Sequence, residues 1–364
     1  MTHYNHKIQI AQPHINQEEI DSVVSVLESG ELSSGDYVAD FENAWSAKIG
    51  NNNHTIATNN GTSAIHASLL ALGVGRNDEV IVPAFSFFST ASMITACGAL
   101  PIFCDVDECG NMSNVELIEK AISPSTKAII VTNLYGRLNK NIKKIEKLCN
   151  EYGIALIVDS CQMPHPEGAK YGDISCFSFY ATKNITTGEG GMVTTKYAGV
   201  AENIRSIINH GQREKKYVHC DMGFNYRMTN IAAAIGLGQL KQLDEINLKR
   251  IEIAKLYNKY IHPPLLMFYH EDIPNVYHQY VIITKLHMRN QLIERLQANN
   301  IESAIHYPTP IPMQPIYKKY YPGVQEKIPI SVWLSERVLS LPCHPRMDAK
   351  DAFRVIQTIN SSVN

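Results

Sequence analysis

Charge imbalance, paired cysteines and long apolar runs are all missing from this chain, and each absence closes a class of function. Acidic and basic residues number 35 and 33, a formal net charge of -2. A chain so near neutral has no global electrostatic reason to bind nucleic acid or an anionic membrane. No stretch reaches the apolar length that a membrane span needs. The eight cysteines (97, 104, 109, 149, 161, 176, 220 and 343) are scattered, with no C-x-x-C and no zinc-finger spacing. That pattern predicts reduced, partly buried thiols in a cytoplasmic protein rather than a disulfide framework. The opening MTHYNHKIQIAQPHINQEEI is polar and acidic, unlike a secretory signal. No G-x-G-x-x-G follows an early strand, which counts against a dinucleotide-dependent oxidoreductase. Internal repeats and low-complexity segments are absent as well.

What is present is an ordinary globular composition, 45% apolar and 19% charged, on a chain of 364 residues. That length suits one large domain or two. Two helices are expected first, over 15–29 and 38–49. An alternation of strand and helix then begins. Strands are expected at 54–60, 79–85, 100–107, 127–136 and 154–160, and helices at 61–74, 89–99, 115–122 and 142–153. The strand runs are Val/Ile-rich and unalternated, as in IALIVDS. Such runs suit strands covered on both faces, in a mostly parallel sheet with helices on each side. After about Ile246 the pattern changes to a long helix, the strand YHQYVIIT, a helix RNQLIERLQANNI and a closing strand IESAIHY. The expected division is a large α/β domain over 1–245 and a smaller α+β domain over 246–364.

Ligands on open α/β sheets sit outside the carboxyl ends of the strands. Asp159 ends the strand IALIVD, where a buried carboxylate is costly without a charged partner. A helix cap or a loop salt bridge would also explain it. Lys183 follows CFSFY and precedes the glycines 188, 190 and 191. A solvated loop lysine is one reading. The other is an amine held rigidly, and kept neutral by packing, to form a Schiff base. A carboxylate one strand earlier would then pair with the protonated ring nitrogen of the cofactor. TNNGTSA puts a glycine and two hydroxyls at a strand-to-helix turn, a phosphate site or an ordinary N-cap. Ser178, on the strand before Lys183, offers another hydroxyl. Phe85, Phe87 and Phe88 follow a strand end, as core residues or as a face for a cofactor ring. His210, His278 and His306 lack ligand spacing, so no metal site is expected.

Together these segments resemble the DegT/DnrJ/StrS-type sugar aminotransferases, fold-type I enzymes that use pyridoxal 5'-phosphate. The likeness runs from QPHINQEEIDSVVSVLESGELSSGDYVADFE through TNNGTSAIHASLLALGV, DSCQ, FSFYATKNITTGEGGMVTT and GFNYRMTNIAAAIGLGQL to IESAIHYPTPIPMQPIY and LSLPCHP. The resemblance implies that Lys183 is the Schiff-base lysine and proton shuttle, and that Asp159 pairs with the ring nitrogen. It implies that Gln162 lies near the ring oxygen and that Phe87 stacks on the ring. Gly61, Thr62, Ser63 and Ser178 would bind phosphate. Asn225 would reach the phosphate of a neighbouring subunit, implying a homodimer with shared sites. Ser34 and Gly35 would lie near the substrate. Read from the residues alone, Arg227, Arg213 and Lys216 suit a diphosphate or a carboxylate, or equally surface salt bridges, and His306 suits a substrate contact or a structural role. The implied reaction transfers an amino group from L-glutamate to a nucleotide-linked keto-sugar. The chain departs from the family pattern at VDSCQ, in the short stretch after Gln162, and at Pro312. A sister group of sugar dehydratases carries histidine where Lys183 stands, so lysine favours amino transfer. A non-catalytic binding protein of the same fold is the alternative from another class.

Overall fold

The computed structural model describes residues 6–50, 53–262 and 272–361. Helix α1, Gln17–Ser29, starts at a reciprocal cap. The Asn16 side chain accepts the Glu19 N–H at 3.1 Å, and the Glu19 carboxylate accepts the Asn16 N–H at 2.6 Å. Helix α2, Asp36–Lys48, follows directly, and both pack on a 31-residue helix, Asn230–Tyr260.

Seven strands then form one sheet: β1 His54–Thr58, β2 Glu79–Pro83, β3 Leu100–Cys104, β4 Thr126–Thr132, β5 Ala155–Asp159, β6 Ile174–Ser178 and β7 Gly191–Thr195. Their spatial order is β1-β7-β6-β5-β4-β2-β3. Only β7 runs against its neighbours; the remaining pairs are parallel. Side chains alternate faces along a strand. Ile81, Ile129, Val131, Leu156 and Val158 therefore enter one core cluster, while Val80, Val82, Ala128, Ile130 and Ile157 enter another on the opposite face. Both faces are dry, which is why the strands read as continuous apolar runs. The expected α/β fold with a mostly parallel sheet is the one observed.

Helices α3, Gly61–Ala71, and α4, Ser89–Ala96, follow β1 and β2. A second sheet pairs β8, Tyr280–Ile283, antiparallel with β9, Val338–Leu341. Its core includes Tyr257, Leu292, Leu296, Val355 and Ile359, from the helices Asn230–Tyr260, Met288–Ala298 and Ala349–Asn360. The boundary expected at 245/246 falls inside Asn230–Tyr260, which runs unbroken from the large sheet to the small one. No helix among the described residues is long and apolar enough to cross a membrane.

Two strand expectations need correction. IESAIHY is not a strand: Ile301 and Ala304 make isolated bridges to Ile8 and Ser340, and the chain then leaves β9. Pro308 and Pro310 follow, and neither has an N–H to extend a ladder. The run expected as a strand over 127–136 stops at Thr132. Leu134–Gly136 forms one tight turn, with Tyr135 at φ 62°. Strand β9 had no expected counterpart.

The reversed β7 brings two strand ends together. Its first residue, Gly191, is in register with Thr58 at the end of β1 and with Ser178 at the end of β6. A Cβ there would lie 2.5 Å from the Asn60 carbonyl carbon and 2.6 Å from Thr58 Oγ1. Only glycine lets the turn after β1 come this close. Gly191→Ala is expected to cost roughly 2 kcal/mol, read as a lower urea midpoint with unchanged slope; an unchanged midpoint would show that the turn yields freely.

Candidate active site

A cavity of about 680 Å³ opens at the carboxyl ends of the parallel strands. It gathers residues from segments far apart in the chain. Gly61, Thr62, Ser63, Phe87, Asp159, Gln162, Ser178, Lys183 and His306 all line it. Ser34, Gly35, Asn225 and Arg227 do not. Ser34 and Gly35 are exposed ahead of α2, and Gly35 lies against the Asn230 side chain. Asn225 is exposed. Arg227 donates to Asn209 Oδ1 at 2.7 Å and lines a separate hollow with His210, Arg213 and Lys216.

Asp159 sits where its strand puts it, in register with Thr132 on β4 and Cys176 on β6. It is 8% exposed. One carboxylate oxygen accepts the Thr90 hydroxyl at 3.0 Å, and the other accepts the Cys161 N–H at 3.1 Å. Among the described residues no cation forms an ion pair with it. A buried carboxylate with neutral donors alone is under-compensated, which fits a positively charged group on the ligand.

Lys183 stands in the loop between β6 and β7. Burial lowers its pKa; the neighbouring Cys161 and Asp159 oppose that shift. The loop is fastened rather than free. Buried Asn184 donates to Asn247 Oδ1 at 2.8 Å and to the Val276 carbonyl at 3.0 Å. The Thr186 N–H donates to Gln239 Oε1 at 3.2 Å. Two residues of the helix Asn230–Tyr260 thus hold the lysine turn from behind.

The turn after β1 has the form of an anion cradle. The Asn60 side chain caps α3 by accepting the Ser63 N–H at 2.8 Å. That amide is therefore used internally, while the amides of Gly61 and Thr62 have no intrahelical acceptor. A Cβ on Gly61 would lie 2.8 Å from Ser178 Cβ and 2.9 Å from Cys161 Sγ. This second essential glycine lets the cradle close on the end of β6.

Phe87 is 53% exposed, large for an aromatic beside a cavity. Its ring lies 6.1 Å from that of Tyr307. Gln162 is held at both ends: Oε1 accepts the Tyr135 N–H at 2.6 Å and Nε2 donates to Tyr307 Oη at 3.1 Å. His306 Nδ1 lies 2.8 Å from Ser340 Oγ. Burial, then the Lys183 charge, lowers the His306 pKa to about 4. Burial also holds His278 well below its ordinary value, with Lys183, Arg250 and His306 adding to the effect. The wall facing the lysine is therefore made of neutral rings.

Tyr307 and Thr90 had no assigned role in the sequence. Tyr307 adjoins His306, and Thr90 lies in the FSFFST segment that was read for its phenylalanines. Neither carries a residue-type signal, because threonine and tyrosine are as common in cores and loops.

Comparison with known proteins places the chain in a family. A model of the DegT/DnrJ/EryC1/StrS aminotransferase family matches residues 13–360. GDP-perosamine synthase of Escherichia coli O157:H7 is 35% identical, over 97% of this chain and 98% of that protein. The spore coat polysaccharide biosynthesis protein SpsC of Bacillus subtilis is 33% identical, over 99% and 98%. The putative sugar aminotransferase Spr1654 of Streptococcus pneumoniae, solved in its PLP form, superposes with a TM-score of 0.88 at 27% identity, covering 98% of each chain.

The neutral His306 carries a pH signature. Its pKa falls from the ordinary 6.5 to about 4 on folding. Between those values the unfolded chain takes a proton that the folded chain refuses. Stability is therefore full above the unfolded value and is lost as pH falls through that window. His306→Gln is expected to remove up to roughly 3 kcal/mol of this acid-side loss, measured as urea midpoints across the window; equal slopes in both proteins would refute it.

Proposed function

This chain belongs to the DegT/DnrJ/EryC1/StrS aminotransferase family and works with pyridoxal phosphate, and we propose that it moves an amino group from L-glutamate to a keto-sugar carried on a nucleotide. One observation carries the reading. A lysine of lowered pKa, a buried carboxylate without a cation, and a glycine turn with free amides all line one cavity.

The cavity suits the cofactor by shape and by charge. The Gly61 cradle, which a Cβ would fill, would hold the phosphate through the amides of Gly61 and Thr62 and the hydroxyls of Ser63 and Ser178. Asp159 would supply the negative charge for the ring nitrogen. Phe87 would offer its exposed face to the ring, and Gln162 would contact the ring oxygen. When bound, the cofactor supplies an aldehyde for amines and a cationic ring that draws electrons from the adjoining carbon.

Lys183 would hold the cofactor through its amine. Burial disfavours the ammonium of the freed Nζ and so favours the amine that can accept a proton. That amine would take the proton from the donor α-carbon and deliver one at the cofactor carbon C4′; in the second half-reaction it would take a proton from C4′ and deliver it to the sugar carbon that receives the nitrogen. His306, which lines the cavity, would contact the substrate. Asn225 and the cationic group Arg213, Lys216 and Arg227 lie outside this chain's own cavity. In a homodimer with shared sites, Asn225 reaches the partner's phosphate and the cations meet the nucleotide diphosphate or the donor carboxylate. Ser34 and Gly35 also approach the substrate in that assembly. The enzyme works in the cytoplasm.

Lys183→Ala is expected to lower turnover by roughly 10³-fold or more. The assay loads the pyridoxamine form with a panel of nucleotide-linked keto-sugars and identifies the aminated product by mass. Retained transamination in Lys183→Ala would overturn the role of this lysine. Wild-type protein that keeps its visible absorbance after L-glutamate is added would instead support a non-catalytic binding protein.

A further inference from the structure

Thr90 stands behind the cavity rather than in its wall. It is fully buried, yet its Oγ1 lies 3.0 Å from Asp159 Oδ2. A carboxylate can only accept, so the threonine hydroxyl donates. Its oxygen also lies 3.3 Å from Ser86 Oγ. With the Thr90 hydrogen committed to Asp159, Ser86 is the donor of that second bond. A directed relay therefore runs from Ser86 through Thr90 to the carboxylate.

The other Asp159 oxygen is held from a different element, by the Cys161 N–H. The terminal torsion of an aspartate is broad and soft. Two donors from two elements, one on each oxygen, fix the plane of the carboxylate as well as its place. The same turn of backbone also carries Phe87, whose carbonyl accepts the Thr90 N–H at 3.2 Å. Ala91 and Ile94, buried completely, anchor the following residues of α4 in the core. One short rigid segment thus presents an aromatic face to the cavity and a hydroxyl to the back of the acid.

We infer that Thr90 is a positioning residue for Asp159, and that the segment 87–90 leading into α4 sets the tilt of the cofactor ring by fixing its stacking face and its carboxylate partner together. The inference rests on the reading of Asp159 as the partner of the ring nitrogen. A core threonine bonded to whatever acceptor lies nearby would hold the fold but not the ring.

The test uses the full chain loaded with pyridoxal phosphate. Thr90→Val keeps the shape and removes the hydroxyl; Thr90→Ser keeps the hydroxyl. Borohydride reduction followed by peptide mass first establishes that the cofactor is attached at Lys183. The readouts are then the visible circular dichroism of the bound cofactor and its dissociation constant. Thr90→Val is expected to weaken binding about tenfold and to reduce the visible dichroism, while Thr90→Ser restores both to within about twofold. A valine variant equal to wild type, or a serine variant as impaired as valine, overturns the inference. If Thr90→Val does not fold, Thr90→Ala judged against Thr90→Ser decides in the same way. Absence of cofactor from Lys183 in the wild type would bring down the proposed function and this inference with it. Normal attachment with indifferent Thr90 variants would bring down the inference alone.

Discussion

A carboxylate at the end of a buried parallel strand is a costly thing to build, and Asp159 is built with neutral donors only. The Thr90 hydroxyl and the Cys161 amide orient it, and among the described residues no cationic side chain forms an ion pair with it. Much of the surrounding structure follows from that constraint. The charge is left for a ligand, the ligand needs a cavity, and the cavity needs walls that do not compete for the acid. Neutral His278 and His306 and the buried tyrosine hydroxyl of Tyr307 form such walls. Burial lowers the Lys183 pKa against the opposing pull of Cys161 and Asp159, which favours the amine form beside the acid.

Rigidity around that cavity comes from connections between distant parts of the chain. The helix Asn230–Tyr260 packs against α1 and α2 near one end and enters the core of the small sheet near the other. Midway it supplies Gln239 and Asn247, which hold the Lys183 loop. Arg250, one helical turn after Asn247, is fully buried and donates to the carbonyls of Tyr277 and His278 at 3.3 Å. The lysine and the histidine wall opposite it are thus referenced to one rod. A shift of the small sheet against the large one would move both together.

Some of this was legible in the order of residues. The Val/Ile runs announced buried strands because a strand covered on both faces needs no polar alternation. The helices expected over 15–29 and 142–153 end in the structure at Gly30 and Gly153, each at a positive φ, 73° and 66°, that glycine adopts without strain. The segment 301–307 is not the strand expected from its apolar residues, because strand β9 takes only a single bridge from it. The role of Thr90 was invisible for a different reason. Its meaning depends on an acceptor 69 residues away, and no local pattern encodes that distance.

By itself, then, the amino-acid order determined the α/β architecture, the family and the cofactor, because periodicity and short motifs are local properties that survive without coordinates. Only the tertiary structure decided which residues share a cavity. The reversed strand β7 sets Thr58 and Ser178 on either side of Gly191, and the β5–β6 register puts Asp159 beside Cys176. It also decided which residues lie outside that cavity, among them Ser34, Gly35, Asn225 and Arg227. Proximity across a sheet is set by strand order and register. These are collective properties of the packed chain, and the free energy that selects them is spread over two apolar faces rather than written in any one segment.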